Sequence, residues 1–287
     1  MNVNLPDEHP IKRKQIILYI CIIVVCIICI IVAFYVQFYA RIDIGSLVGI
    51  KPENSLGQKT EEEIQTLNTD FGNLFVNSVE NDNGENNSKK QDESKALVYT
   101  NYEKKESKLN SYDLEVRIPY INVKSDVVDG YNKEIEDIFV KIANNVLQSQ
   151  NTNIIYTVDY VANVKDGILS VMIRSNLKEG ANAQKVIIQT YNYDLRNNKE
   201  ITLEEVLKIE NLKREDVESK IKSKIEEEEK KAEDLKSLGY NIYLRDTSSD
   251  IYTIENSTEF YLDNNALYII YAYGNAAETS QMDLVIF

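Results

Sequence analysis

The chain has 287 residues, 43% of them hydrophobic, with 46 acidic against 32 basic side chains and a net charge of −14. That balance repels nucleic-acid phosphates and anionic wall polymers, and it favours either a cationic partner or plain solubility. The three cysteines sit at positions 21, 26 and 29 and the single histidine at position 9. Everything after residue 29 therefore lacks a disulfide, a thiolate or imidazole ligand for zinc, and a histidine-based triad.

Residues 1–14 contain Pro6 and Pro10, show no apolar periodicity and read as a cytoplasmic stub. Ile16 to Ala40 follows as 25 residues without a charge. As a helix it rises about 37 Å at roughly 1.5 Å per residue, enough to cross a bilayer with some tilt. The pattern predicts one transmembrane helix over 15–40. Lys12, Arg13 and Lys14 precede it, while Arg41 after it is followed closely by Asp43, so the positive-inside bias gives a single-pass protein of the cell membrane, N-terminus cytoplasmic and C-terminal domain extracellular. Tyr35, Phe38 and Tyr39 cluster at the outer interface. A cleaved signal peptide is the competing reading. Against it, the apolar core exceeds the usual ~7–15 residues, and Phe38 stands where a small-x-small site ending at Ala40 needs a small residue.

Residues 41–110 read as a stalk. Within it Thr60-Glu61-Glu62-Glu63 has the form of a capping box, and Ile64, Leu67, Phe71, Leu74 and Phe75 recur three or four apart. This spacing predicts a helix over Thr60–Ser78 that docks on the domain or on a copy of itself. Glu80–Lys95 has no apolar side chain and is predicted to be disordered. Its Asn81-Asp82-Asn83-Gly84 suggests a calcium loop, but placing Gly84 sixth puts Val79 first and Lys90 twelfth, where carboxylates are required.

From residue 111 the pattern is that of a folded domain. Tyr112 to Tyr120 alternates as a half-buried strand, and Tyr131–Gln148 carries Ile135, Ile138, Phe139, Ile142 and Val146 at helical spacing. Strands are predicted over Ile154–Val164, Ile168–Ser175 and Gln184–Asp194, the first two joined by a hairpin at Asp166-Gly167. Thr202-Leu203-Glu204-Glu205 is a second capping box, and Asn211–Leu238 reads as a long helix burying Val217, Ile221, Ile225, Leu235 and Leu238. The glutamates at 226–229 point all round that helix among lysines, which is a solvated surface rather than a metal site. Short strands are predicted at Asn241–Leu244, Ile251–Ile254, Thr258–Leu262, Leu267–Tyr273 and Met282–Phe287. The fold class is α+β, with antiparallel sheets and packed helices in two linked subdomains, 111–200 and 201–287, preceded by one transmembrane helix.

Three segments carry a resemblance: Leu114-Glu115-Val116-Arg117-Ile118-Pro119-Tyr120 with its following helix, Gln189–Asp194 leading into Ile201–Leu207, and Phe260–Tyr268. Over residues 111–287 the chain resembles the exported region of RsiV-type anti-sigma factors and the non-catalytic N-terminal module of PdaC-type peptidoglycan deacetylases. The resemblance implies an extracytoplasmic sensing or binding module of the cell envelope whose ligand is a lysozyme-like cationic protein or a peptidoglycan fragment. Two departures limit what is carried over. No sigma-binding segment is seen in the fourteen residues before the span, so a sigma factor is not expected as partner. Tyr271–Glu278 also stands where the family tends to a Pro-Tyr-Glu-Ile-Ala-Pro loop.

Nineteen tyrosines and no tryptophan supply amphipathic rings. Tyr268, Tyr271 and Tyr273 cluster beside Gly274, with Asn275 and Glu278 in the next loop. These five are the expected ligand-binding residues, although packing of the same rings in the core is the competing reading. No catalytic residue, metal ligand or cofactor is expected, and Gly45-Ser46-Leu47-Val48-Gly49 lacks the spacing of a nucleophile elbow. A carboxylate-dependent envelope hydrolase and a structural partner of another membrane protein are the alternatives. Abundant Asn, Lys and Ile with cysteine-free exported residues suits a Gram-positive anaerobe.

Overall fold

A computed structural model describes residues 59–75, 90–273 and 281–287, all within one compact unit, Ser55–Phe287. The stub 1–14, the candidate span Ile16–Ala40, the stalk up to residue 58, residues 76–89, Asn275 and Glu278 lie outside the described residues. Among the described residues no helix is long and apolar enough to cross a membrane.

Helix α1 (Glu61–Leu74) starts on the expected capping box: Thr60 Oγ1 accepts from Glu63 N–H, and the Glu63 carboxylate accepts from Thr60 N–H at 2.8 Å. Residues 98–108, read as stalk, form strand β1 (Val98–Lys108), hairpinned to β2 (Tyr112–Ile121). Beyond Val98 the strand buries little and carries charge at Glu103, Lys104, Lys105, Glu106 and Lys108, which suits a sheet edge because charge discourages edge-to-edge pairing. Residues 90–95 correct the expectation of disorder. Lys90 bridges to Val123, and the buried Asn122 amide accepts from Asp92 N–H at 2.8 Å and donates to Asp92 O at 2.7 Å. One buried side-chain amide thus satisfies a segment that has no apolar anchor.

Helix α2 (Asp126–Ile135), a π segment (Glu136–Val140) and α3 (Lys141–Gln148) run in succession and bury Val128, Ile135, Phe139, Ala143 and Val146. This helical crossover returns the chain, so β3 (Ile154–Lys165) pairs parallel to β2, with Tyr112 opposite Ile154 and Val116 opposite Val158. The sheet is therefore mixed, a correction to the expected antiparallel one. The meander β3, β4 (Ile168–Glu179), β5 (Lys185–Asp194) holds as read from the sequence, and β6 (Lys199–Glu200) completes the order β1-β2-β3-β4-β5-β6. Asp166 and Gly167 take φ of 51° and 79° in the two-residue turn between β3 and β4. Those values match the mirror-image turn that fits strand twist.

Helices α4 (Leu203–Ile209) and α5 (Arg214–Ser237) precede a second, antiparallel sheet, β7 (Phe260–Leu262), β8 (Leu267–Tyr273) and β9 (Gln281–Ile286). The strands expected at Asn241–Leu244 and Ile251–Ile254 are absent. The first run is irregular and the second starts in a 3₁₀ turn at Asp250–Tyr252 capped by Ser249, neither having a strand to pair with. Leu235 and Leu238 are 39% and 73% exposed, past the end of the α5 stripe of Val217, Ile221 and Ile225.

The period-two alternation of strands sorts the core into layers. One face of the large sheet packs Leu114, Val116, Tyr156, Val171 and Tyr191 under α2 and α3. Its other face gives Val161, Met172 and Ile188 to Tyr261, Tyr268 and Ile270 of the small sheet and to Phe71 and Phe75 of the α1 region. The small sheet's outer face, Phe260, Leu262, Ile269 and Val285, packs on α4 and α5. The second sheet and α1 cover only part of that second face of the large sheet, and this leaves the site.

Candidate functional site

The predicted tyrosine cluster is divided by the fold. Tyr268 is 1% exposed, its ring 5.5 Å from that of Phe71 and 6.2 Å from that of Tyr261. Tyr271 is 6% exposed, its hydroxyl 2.7 Å from Ser257 Oγ and its ring 5.0 Å from that of Tyr252. Neither offers a face to a ligand, because β8 is buried on both sides over Leu267–Tyr271. Tyr273 is half-buried. It donates to Asp283, stacks 5.4 Å from the Tyr243 ring and lies 4.9 Å from the Arg245 guanidinium. Arg245 grips Asp283 with two bonds, Nε to Oδ2 at 2.7 Å and Nη2 to Oδ1 at 2.8 Å, and donates from Nη1 to Glu228 O at 3.0 Å. Burial disfavours the Arg245 charge, but the bonds to Asp283 outweigh it and push its pKa up; burial and the same carboxylate push up that of Tyr273. These are the features of a closed internal pin holding β8, β9 and α5 together.

The open surface is elsewhere. Strand register sets Glu103 opposite Arg117 and Asp159 opposite Arg174, so one row of alternating charge runs across β1, β2, β3 and β4. Two residues along, Lys105 faces Glu115 and Thr157 faces Asn176. Along β3 and β4 the same face continues into Val161 and Met172, which the second sheet covers. The uncovered part is a groove of ≈ 270 Å³ lined by these eight side chains.

Within it, Arg117 Nη2 bonds Asp159 Oδ1 at 2.7 Å and Lys105 Nζ bonds Glu115 Oε1 at 2.7 Å. Asn176 donates to Thr157 Oγ1 at 3.2 Å. Phe75, 1% exposed at the end of α1, walls one side; it carries the Arg174 guanidinium 4.1 Å from its ring centroid and accepts from Arg117 Nη2 at 3.4 Å through its carbonyl. Burial pushes the Arg174 pKa down, offset in part by Asp159. Among the described residues Arg174 has its ring contact but no hydrogen-bonded acceptor.

The groove therefore offers cationic and amide donors and carboxylate acceptors, and no hydroxyl placed against a base. Among the described residues no cluster of His, Cys, Asp and Glu could hold a metal. None of these eight was expected as a ligand-binding residue from the sequence, although Glu115 and Arg117 fall in the first resembling segment. Their signal is the polar pair at i, i+2 on four strands (Glu103/Lys105, Glu115/Arg117, Thr157/Asp159, Arg174/Asn176), which becomes a site only once the parallel β2–β3 register is known.

No family model and no curated protein matches the chain. Solved structures are similar to parts of it, two of them as follows. A DUF3298 family protein from Bacteroides fragilis NCTC 9343 is 14% identical over 60% of this chain and 81% of its own, with a TM-score of 0.32. A DUF3298 family protein from Pseudomonas aeruginosa PAO1 is 14% identical over 38% of this chain, with a TM-score of 0.26, and this chain spans 54% of its length.

Proposed function

We propose that the chain is a single-pass membrane protein, N-terminus in the cytoplasm, whose α+β unit is displayed outside the cell to bind an envelope ligand rather than convert it. The membrane assignment rests on the 25 uncharged residues of Ile16–Ala40 and the basic residues before them. The groove carries the binding assignment. It is concave, and two of its three acids, Glu115 and Asp159, are engaged by Lys105 and Arg117, an arrangement for recognition rather than for proton transfer. Among envelope ligands a peptidoglycan fragment, bearing both amides and carboxylates, suits that lining. A lysozyme-like cationic protein is a second reading, supported by the net charge of −14.

Titration of the full chain in nanodiscs with purified muropeptides, and separately with lysozyme, at low and high salt tests both. Saturable muropeptide binding supports the groove reading, and salt-sensitive lysozyme binding the second. Hydrolysis of muropeptides during the titration would contradict a binding role.

A further inference from the structure

We propose that Arg174 is the anchor for the terminal carboxylate of a short peptide, held in the groove between β2, β3 and β4. This deepens the binding role proposed for the same surface. Among the described residues this half-buried guanidinium has no hydrogen-bonded acceptor, so its N–H donors have lost part of their hydration with only the Phe75 ring and the nearby charge of Asp159 in return. The Phe75 ring centroid lies 4.1 Å from the guanidinium carbon, a cation–π contact that does not use the N–H donors. A carboxylate meets such a fork with two parallel bonds.

The neighbours narrow the class of anion. Glu103, Glu115 and Asp159 also line the groove, so a phosphate dianion meets three carboxylates, whereas a monoanion with N–H groups behind it gives them donors to accept. Asn176 Oδ1 and the Thr157 hydroxyl add further polar contacts one step along the strands, since Asn176 uses its Nδ2 on Thr157. A volume of ≈ 270 Å³ lies just below the usual ligand-pocket range of about 300–1,000 Å³ and suits two or three residues of a peptide. The chemistry is shared by the stem peptides of peptidoglycan and by the C-termini of ordinary peptides.

The test uses the full chain in nanodiscs and N-acetyl-D-Ala-D-Ala, N-acetyl-L-Ala-L-Ala and the carboxamide of each, by calorimetry or ligand-observed NMR. At least one acid should bind ten-fold or more tighter than its amide. Arg174→Gln should erase that preference, Arg174→Lys should keep part of it, and Asn176→Asp should weaken the acid ten-fold by adding a like charge while sparing the amide. Melting curves identify variants that stay folded. Preference for the D form assigns the wall peptide as source, and preference for the L form an ordinary C-terminus. Equal binding of acid and amide would overturn the carboxylate anchor while leaving the groove a binding site. Failure of all four probes would remove the groove assignment itself.

Discussion

Asp283→Ala removes the carboxylate that grips Arg245 and leaves a guanidinium whose side chain is 3% exposed. Its remaining partners are Glu228 O at 3.0 Å, Gln281 at 3.3 Å and Glu229 at 3.9 Å, none of which reproduces the paired bonds to Asp283. Stranding a buried charge in this way costs about 3–5 kcal/mol. The Tyr273 hydroxyl loses its acceptor in the same step. In a unit of this size each kcal/mol moves the melting temperature by roughly 2–4 °C, so the fall should be about 6–20 °C. Differential scanning fluorimetry of the full chain in nanodiscs reads it. Removing the charge as well, in Arg245→Met/Asp283→Leu, should recover most of the loss, because an apolar pair of similar volume is often as stable as a buried ion pair. A fall below 2 °C for Asp283→Ala, or no recovery in the double variant, would refute the pin and return Tyr273 to the candidate ligand-binding residues.

Further outcomes follow from other places in the fold. Glu259 accepts from Thr190 N–H at 2.5 Å on the edge of β5 and from Gln189 at 3.3 Å, and burial, with Glu134 adding like charge, raises its carboxyl from 4.5 to about 7. A carboxyl raised on folding binds more protons in the folded state, so stability falls as pH rises from about 4.5 to 7, by up to about 3 kcal/mol. Glu259→Gln should flatten that slope in urea denaturation, and an unchanged slope would contradict it. Gly167→Ala should cost roughly 1–2 kcal/mol, since Gly167 sits at φ 79° with Arg196 Nε 2.6 Å from where a Cβ would stand. A loss indistinguishable from zero would mean the turn tolerates a side chain. Tyr273→Phe should lower stability by about 1.5–3 kcal/mol, the range for a hydrogen bond to a charged group, and leave muropeptide affinity unchanged. A selective loss of affinity would place the ligand at the β8 end.

Local chemistry was the part of the fold most legible in the sequence. Thr60/Glu63 and Thr202/Glu205 form their capping boxes, Asp166-Gly167 makes its turn, and Phe71 and Phe75 dock α1 on the sheet as their spacing required. Non-local pairing was less so. Strand β1 ends in Glu-Lys-Lys-Glu-Ser-Lys, which reads as solvated chain because an edge strand needs little burial. The parallel register of β2 with β3 is set by a helix packing on a sheet face, which strand periodicity does not encode. The same limit hid the groove, since its polar side chains come from four strands spread over residues 103–176. The tyrosines of β8 stood out by composition, yet Leu267–Tyr271 are buried on both faces and need large side chains, and the amphipathic ring serves the core there as well as it serves a surface.

Amide exchange or NMR mapping with N-acetylmuramyl tetrapeptide on the full chain in nanodiscs tests the central claim most directly. The groove predicts that protection concentrates at Arg117, at Thr157–Asp159 and at Arg174–Asn176, with Tyr271–Tyr273 and Gln281–Asp283 unaffected. Protection confined to the β8 and β9 ends, with the groove strands unchanged, would contradict it.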